Sequence, residues 1–235
     1  MTVMEIPFGI IANTGAIVIA GLLGVLLKNK IPSRIIETLP VTLGLAAMTI
    51  GIAAILKLKT VPVVVLSLII GSIIGELCNI DRNLLKAMRK LQKYSIFSIR
   101  KEQQEIFITL LVLFGASGTG IFGALHAGMT GDNSILLAKS VLDFFTAISF
   151  ATTLGFIVSI LAIPQFIIQF LLYYFASLVL PLVTDSMLAN FQATGGVITF
   201  AIGLKIATIK DIRVVNLIPA LFIVFFITAL WERPI

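Results

Sequence analysis

The sequence contains few charged residues, one cysteine and one histidine. Of its 235 residues only 12% are Asp, Glu, Lys or Arg, whereas 59% are hydrophobic. A soluble domain of this length needs more polar surface than this to cover its core. Cys78 alone cannot form an internal disulfide, and one histidine with one cysteine cannot supply a zinc site. These shortages exclude a soluble globular domain, a disulfide framework and a zinc site.

The motifs that carry enzyme chemistry are also missing. Neither the H-E-x-x-H pattern of metalloproteases nor the P-loop pattern occurs. The run GASG, Gly115–Gly118, is similar to the serine motif of rhomboid proteases, but a serine nucleophile needs a base within hydrogen-bond reach. The only histidine, His126, lies nine residues beyond Ser117, which on one helix is about 13.5 Å away and on the opposite face. We therefore expect no enzyme, no cofactor and no resident metal.

Long apolar runs are the most abundant feature of the sequence. Runs of about 20 residues recur along the chain, and that length spans the hydrocarbon layer as a helix. The first run is expected to remain as a span rather than act as a signal peptide, because no basic residue precedes it. We predict an all-α polytopic membrane protein with a single transmembrane domain over 1–235. Its eight predicted spans are 6–27, 35–56, 60–78, 105–128, 135–163, 164–181, 187–208 and 213–231.

Lysine and arginine are distributed unevenly between the alternate loops. One side collects thirteen of these residues: Lys28, Lys30, Arg34, seven from Arg82 to Lys101, Lys205, Lys210 and Arg213. The other side has Lys57, Lys59 and Arg233. The positive-inside rule therefore places both termini outside. The basic segment 80–104 becomes a cytoplasmic loop, in which Ile80, Leu84, Met88 and Leu91 recur at the spacing of a helix lying on the inner leaflet.

A short pattern in the second predicted span returns in the seventh. Thr42, Gly44 and Gly51 match Thr194, Gly196 and Gly203 at an offset of 152 residues. The two spans run in opposite directions, so the copies would form an inverted repeat relating spans 1–3 to spans 6–8, an architecture of many secondary transporters. The alternative is chance agreement between glycine-rich helices.

Small residues at every fourth position also mark the predicted spans. The fourth span carries Ala116, Gly120, Ala124 and Gly128, a small-xxx-small ridge that lets helix backbones approach closely. The run GASGTG within it, Gly115–Gly120, is denser than packing requires and is able to interrupt the helix.

Lys139 and Asp143 are the most unusual residues, because both lie inside the fifth predicted span. Four residues apart, they share one helical face and can pair. A single charge at mid-bilayer costs roughly 2.5–3.5 kcal/mol on insertion scales. An ideal helix brings Thr146, Ser149 and Thr153 into the same arc of about 120°, turned away from lipid. Two interpretations stay open: an ion pair that fixes helix register, or, as we favour, a water-lined cavity.

Other polar residues inside the predicted spans are candidates for the same cavity. Asn13 lies in the first span and Gln169 in the sixth, and the inverted repeat would make these two amides near-equivalents. Glu76 and Asn216 lie close to the inner surface, where interface residues are common.

Several stretches of the chain resemble one known family. They are GIIANTGAIVIAGLLG, LGLAAMTIGI, GSIIGEL, GIFGALHAGMTGDNSILLAKSVLDFFTAISFATTLG, GGVITFAIGLK and IRVVNLIPALF, of which LLAKSVLD with the following ATTLG is the most specific. The chain is similar to the YqgA/YdfK-like family of prokaryotic inner-membrane proteins, whose function is unknown. The resemblance covers nearly the whole chain. It implies a location in the prokaryotic cell membrane, a shared fold and a shared site, but no substrate.

The sequence as a whole favours a secondary transporter or facilitator of a small polar or ionic solute, with proton or cation coupling as an option. In this hypothesis Asp143 is the proton- or cation-sensitive group and Lys139 is its partner or an anion ligand. Neutral ligands would be Asn13, Thr146, Thr153 and Gln169. A channel and a non-transporting accessory or structural membrane protein are the alternatives. The expected partners are the lipid bilayer and a small solute or ion, without nucleic acid; a homodimer is left open.

Overall fold

A computed structural model describes residues 7–28, 30, 32–84, 86, 101–115, 118–179 and 182–232. Within these ranges the chain forms helices and no strand, which confirms the all-α prediction for this part of the chain. The helices are α1 Phe8–Leu27, α2 Ser33–Ile55, α3 Val61–Leu77, α4 Lys101–Gly115, α5 Gly118–Thr130, α6 Ser134–Leu154, α7 Ile157–Ile160, α8 Ala162–Val179, α9 Asp185–Ile206 and α10 Pro219–Trp231, with a 3₁₀ turn at Val214–Leu217.

Six helical segments in the described ranges are long and apolar enough to cross a bilayer. They are Phe8–Leu27, Thr38–Ile55, Ser134–Leu154, Ile157–Ala176, Asp185–Ile206 and Val214–Trp231, and α3 is a shorter apolar helix of 17 residues. Large apolar side chains such as Leu26, Phe222 and Phe226 are exposed on the surface of the bundle. Since lipid solvates such side chains as well as a protein core does, these exposed side chains fit a helix bundle embedded in a membrane.

The boundary between the fifth and sixth predicted spans lies earlier than the sequence suggested. The prediction placed it at Pro164, but α6 ends at Leu154 and the chain turns at Gly155. Gly155 has a φ of 77°, a conformation that residues with a Cβ rarely adopt, so the helix stops there. Pro164 instead lies in the first turn of α8, where its missing N–H leaves no helical hydrogen bond unmade. The run GASGTG lies at the junction of α4 and α5, and residues 116–117 fall outside the described ranges.

The helix α1 packs parallel to α6 through small residues. At one end the Gly9 N–H donates to Asn133 Oδ1 at 2.9 Å, just before α6 begins. At the other end Gly24 lies against α6, where an added Cβ would be 2.6 Å from the carbonyl oxygen of Ile148. Such close backbone approach supplies dispersion contacts that replace hydrophobic exclusion in lipid.

The helices α2 and α9 cross through two reciprocal glycine pairs. A Cβ built on Gly44 would lie 2.7 Å from the carbonyl oxygen of Gly203, and one built on Gly203 would lie 2.6 Å from that of Gly44. Gly51 and Gly196 make the same exchange, at 2.7 Å in both directions. The glycines of the two T-x-G patterns therefore face each other across one tight antiparallel contact.

Both ends of the described chain lie at one face of the bundle. Gly9, near the start of α1, meets the loop before α6, and Ile135 at the start of α6 lines one cavity with Lys57 and Gln192. Asn190, near the start of α9, accepts from the backbone N–H of Thr60, near the start of α3. Thr184 donates to Glu232 at the end of α10 with a distance of 3.1 Å. A chain that begins and ends at one face crosses the bundle an even number of times.

The opposite face holds the interface residues that the sequence indicated. Asn216 donates to Glu76 at 2.9 Å and accepts from the backbone N–H of Asp81, while Arg213 pairs with Glu76 at 2.9 Å. Glu76 is about half exposed, which fits an interface role. In the basic segment, Ile80 and Leu84 pack against the core. Met88 and Leu91 lie outside the described residues, so the interfacial helix stays a prediction.

Candidate functional site

A buried ion pair lies in the first half of α6. Lys139 and Asp143 are within hydrogen-bonding distance, as their i, i+4 spacing predicts, and their exposed fractions are 4% and 0%. The Lys139 ammonium also lies 6.0 Å from the centre of the Phe114 ring of α4, at the outer range of a cation–π contact. Two charges removed from water in this way carry a desolvation cost that their mutual attraction offsets only in part.

The loop before α6 fixes where this helix starts. Asp132 accepts from both the backbone N–H and the hydroxyl of Ser134, at 2.9 and 3.0 Å. These hydrogen bonds, with the neighbouring His126 side chain, hold the pKa of the Asp132 carboxyl below its ordinary value. Starting the helix at Ser134 places Lys139 and Asp143 in its second and third turns, well inside the bundle.

Buried polar atoms without a hydrogen-bond partner occur at Asp143 and at one residue each of α1 and α8. Among the described side chains, four fully buried polar atoms have no hydrogen-bond partner: Asp143 Oδ1, Asn13 Oδ1, Asn13 Nδ2 and Gln169 Nε2. The Asn13 amide of α1 lies next to the Asp143 carboxyl. A buried polar group without a partner costs about 1–3 kcal/mol, so proteins rarely keep one without a role. All four atoms belong to residues that the sequence predicts for the site.

Amide side chains connect α1 and α8 beside this cluster. Gln165 donates to the side-chain oxygen of Gln169, and the Thr14 hydroxyl donates to Gln165 at 3.1 Å. Gln165 and Gln169 are both fully buried. The sequence reasoning missed Gln165, although the offset of 152 residues leads from Asn13 to Gln165, not to Gln169. Applying that offset strictly would have found it.

A cavity of about 220 Å³ adjoins the ion pair. It lies between α2, α4, α6 and α9, and its lining includes Lys57, Leu113, Lys139, Asp143, Gln192 and Thr199. The volume exceeds what one water needs and suits a small solute. The sequence reasoning missed Gln192 and Thr199, because their polarity is unremarkable on α9 alone and gains meaning only where four helices meet.

Two threonines of the predicted arc have different positions. Thr146 is buried, as expected. Thr153 is exposed, so its predicted place in the buried arc is wrong, and Thr152 is buried instead. The error arises because Thr153 lies in the last turn of α6. There the buried side is set by Ala151, which packs against Gly24 of α1.

Comparison with known proteins identifies the family. A family model described as "Protein of unknown function (DUF554)" matches residues 8–229. The chain belongs to this family. The uncharacterized protein YqgA of Escherichia coli (strain K12) is 45% identical over 223 residues, which cover 93% of this chain and 95% of YqgA. The uncharacterized membrane protein YdfK of Bacillus subtilis (strain 168) is 30% identical over 220 residues, which cover 92% of this chain and 93% of YdfK. No solved structure matches the chain.

The family match confirms the resemblance seen in the sequence, and its range contains the residues of the candidate site. The matched range, residues 8–229, contains Asn13 and Gln169 as well as the Lys139–Asp143 pair. Chemically, the site offers a cation and a carboxylate at the wall of a cavity of small-solute size, whereas the buried amides of Asn13 and Gln169 do not line that cavity. This set can bind a charged or polar solute and exchange a proton or a cation. It contains no nucleophile and base arranged as a pair.

Proposed function

We propose that this member of the DUF554 family is a secondary transporter or facilitator of a small polar or ionic solute. The observation that carries the proposal is the position of the Lys139–Asp143 pair, which is buried in a membrane-type bundle and lines a cavity. Ionisable residues inside membrane spans are expensive and are most often found on solute or ion pathways. A pair that served only to fix helix register would gain nothing from a cavity beside it.

The architecture supports the proposal through an inverted repeat. Moving the bounds of α1, α2 and α3 by 152 residues gives 160–179, 185–207 and 213–229. The corresponding elements are α8, α9 and the segment 214–231, and all their bounds agree with these within two residues; the last segment opens with a 3₁₀ turn. The reciprocal glycine pairs between α2 and α9 are the contacts that a two-fold axis in the membrane plane would create. With α4 and α5 as one crossing and α3 as another, the proposed bundle has eight passes.

Each site residue has a proposed role. Asp143 binds the coupling proton or cation, and Lys139 serves as its partner or as a ligand for an anionic solute. Asn13, Gln169 and Thr146 are neutral ligands, joined by Gln165 through its hydrogen bond to Gln169. Thr153 is no longer a candidate because its side chain is exposed.

The other classes are less well supported. A channel needs a continuous polar path, whereas buried apolar side chains lie beyond the ion pair, among them Leu110 and Ile202. A structural or accessory protein would not need unpartnered polar atoms at the centre of the bundle. We propose no enzymatic activity.

A transport measurement with a pH-sensitive dye tests the proposal. Purified protein in proteoliposomes is challenged with small carboxylates, amino acids and monosaccharides while an inward proton gradient is imposed. We expect at least one compound to enter faster with the gradient, and Asp143→Asn to lose that acceleration. The matched control is Asp185→Asn, an exposed carboxylate in the first turn of α9, which should behave like the wild type.

The outcomes separate the alternatives. If the uptake rate changes neither with the proton gradient nor with Asp143→Asn, the protein is a facilitator without proton coupling. Absence of uptake for every compound, with correctly folded protein, would count against transport and favour an accessory role.

A further inference from the structure

A second cavity of about 220 Å³ lies away from the ion pair. Its lining includes Pro40, Ile106, Leu110, Phe150, Lys205 and Thr208. Nothing in the site described above accounts for it. Like the first cavity, it has a lysine at its wall.

The second cavity is formed by the same four helices as the first, at their opposite ends. On α2 the first cavity meets Ile50–Ala54 and the second meets Pro40. On α9, which runs antiparallel, the first cavity meets Gln192 and Thr199, and the second meets Lys205. The helices α4 and α6 show the same order. The two cavities therefore lie on one line through the bundle, towards opposite faces.

One face of α6 runs along this line. Lys139, Asp143, Thr146 and Phe150 follow the spacing i, i+4, i+7, i+11, which places them within an arc of about 60°. The first two line the first cavity, and Phe150 lines the second. Thr146 lies between them and is buried.

A thin closed layer separates the cavities. Between the two linings lie buried side chains, namely Leu43 and Ala47 from α2, Thr146 and Ala147 from α6, and Ile202 from α9. On α4, Leu110 of the second lining and Leu113 of the first are one turn apart and form the wall between the cavities. Along α6 the linings are seven residues apart, from Asp143 to Phe150, a rise of about 10.5 Å. Apart from Thr146 the layer is apolar, so small movements of these side chains would open or close it.

The charges at the two cavities favour an anion. Lys57 and Lys139 line the first cavity with one carboxylate, Asp143. Lys205 lines the second, where its ion-pair partner Asp211, 3.0 Å away, is 79% exposed and outside the lining. Each cavity thus presents more positive than negative side chains to a solute.

We propose that the two cavities are the two ends of one path for a small organic anion, with Lys205 as its ligand at the second end and Leu110, Thr146 and Ile202 as the closed layer between. This inference rests on the proposed transport function and names its solute class. An anion leaving Lys139 for Lys205 crosses only the buried layer, and the two cavities need never be open at once.

Cysteine accessibility tests the path without requiring a known solute. In a Cys78→Ser background, Thr199→Cys marks the first cavity and Ile206→Cys marks the second. An impermeant thiosulfonate reagent bearing a sulfonate is applied to one side of sealed vesicles of known orientation. We expect the two cysteines to react from opposite sides. Reaction of both from the same side only would overturn the path.

Substitutions that shorten side chains of the closed layer provide a second test of the path. Adding Leu110→Ala or Ile202→Ala to Ile206→Cys should let reagent from the first side reach the cysteine, raising that rate at least tenfold. Leu171→Ala, at a half-exposed apolar position on α8, is the matched control and should leave the rate unchanged. If neither thinned variant admits reagent while both remain monodisperse, the cavities do not belong to one path.

The anion assignment has its own readout. At Ile206→Cys the sulfonate reagent should react faster than a trimethylammonium reagent, after correction for their rates with a free thiol. Lys205→Gln should reduce this preference several-fold, and Lys205→Arg should retain it. An unchanged preference in Lys205→Gln would overturn the role of Lys205. If no solute is transported while the two cysteines still react from opposite sides, the proposed transport function is contradicted but the path is still supported.

Discussion

At the scale of single residues, the Lys139–Asp143 pair is better explained by a role in the site than by a contribution to stability. Attraction between the two charges compensates part of their desolvation, yet apolar side chains of similar size would fill the same space without any such cost. The pair is therefore poorly explained as a stabilising feature. Asn13, beside Asp143, and Gln169 of α8 support this view, because they carry buried polar atoms that also lack partners.

The pair therefore predicts opposite outcomes for single and double substitutions. Lys139→Leu or Asp143→Leu leaves a buried charge without its partner, which typically costs about 3–5 kcal/mol. Replacing both residues with leucine removes both charges, so thermal unfolding in detergent should be near that of the wild type. Solute uptake should be lost in the double variant. Normal uptake by a stable double variant would show that the pair has only a structural role.

At the scale of helices, how much the sequence could predict depended on whether a feature belongs to one helix or to several. The i, i+4 pair and the isolated amides Asn13 and Gln169 were predictable, because a polar residue in an apolar run is conspicuous by itself. Thr153 was misplaced because an ideal helical projection cannot show where the packing of a neighbouring helix ends. The cavity residues Gln192 and Thr199 were missed because a cavity is a property of several helices together.

The crossing of α2 and α9 predicts a strict requirement for glycine. Gly44→Ala or Gly203→Ala would place a Cβ 2.6–2.7 Å from a backbone oxygen of the other helix, so the helices would have to separate. Overpacking of this kind costs about 1–3 kcal/mol, which a lower midpoint of thermal unfolding would report. Gly15→Ala is the matched control, since nothing lies within 4 Å of its added Cβ.

The same crossing makes a quantitative prediction for the double variant. Once one alanine has separated the helices, the second meets a gap already opened, so Gly44→Ala with Gly203→Ala should cost less than the sum of the single variants. Full additivity would indicate that the two glycines do not share one contact.

At the scale of the whole molecule, two independent observations bear on topology. Hydrogen bonds place the Thr60 turn, the Thr184 turn and the end of α10 at one face. The start of α6, and with it the start of α1, lies at the same face because Ile135 lines the first cavity together with Lys57 and Gln192. The loop charges predict a direction, because the predicted spans assign thirteen lysines and arginines to the loops of the other face and three to the loops of this one. Only the contacts show that the two ends of the described chain lie at the same face. Only the charges predict which side of the membrane that face is on.

Together these observations predict that both termini face outside the cell. In whole cells with Cys78 replaced by serine, an impermeant maleimide should label a cysteine added after Ile235 or placed at Lys59. It should not label a cysteine at Lys93 or Lys210 until the membrane is opened. The reverse labelling pattern would agree with both ends lying at one face, but it would contradict the orientation predicted from the loop charges. Labelling at Ile235 without labelling at Lys59 would contradict the fold itself, because the hydrogen bonds of Asn190 and Thr184 bring the Lys59–Thr60 turn and the end of α10 to the same face.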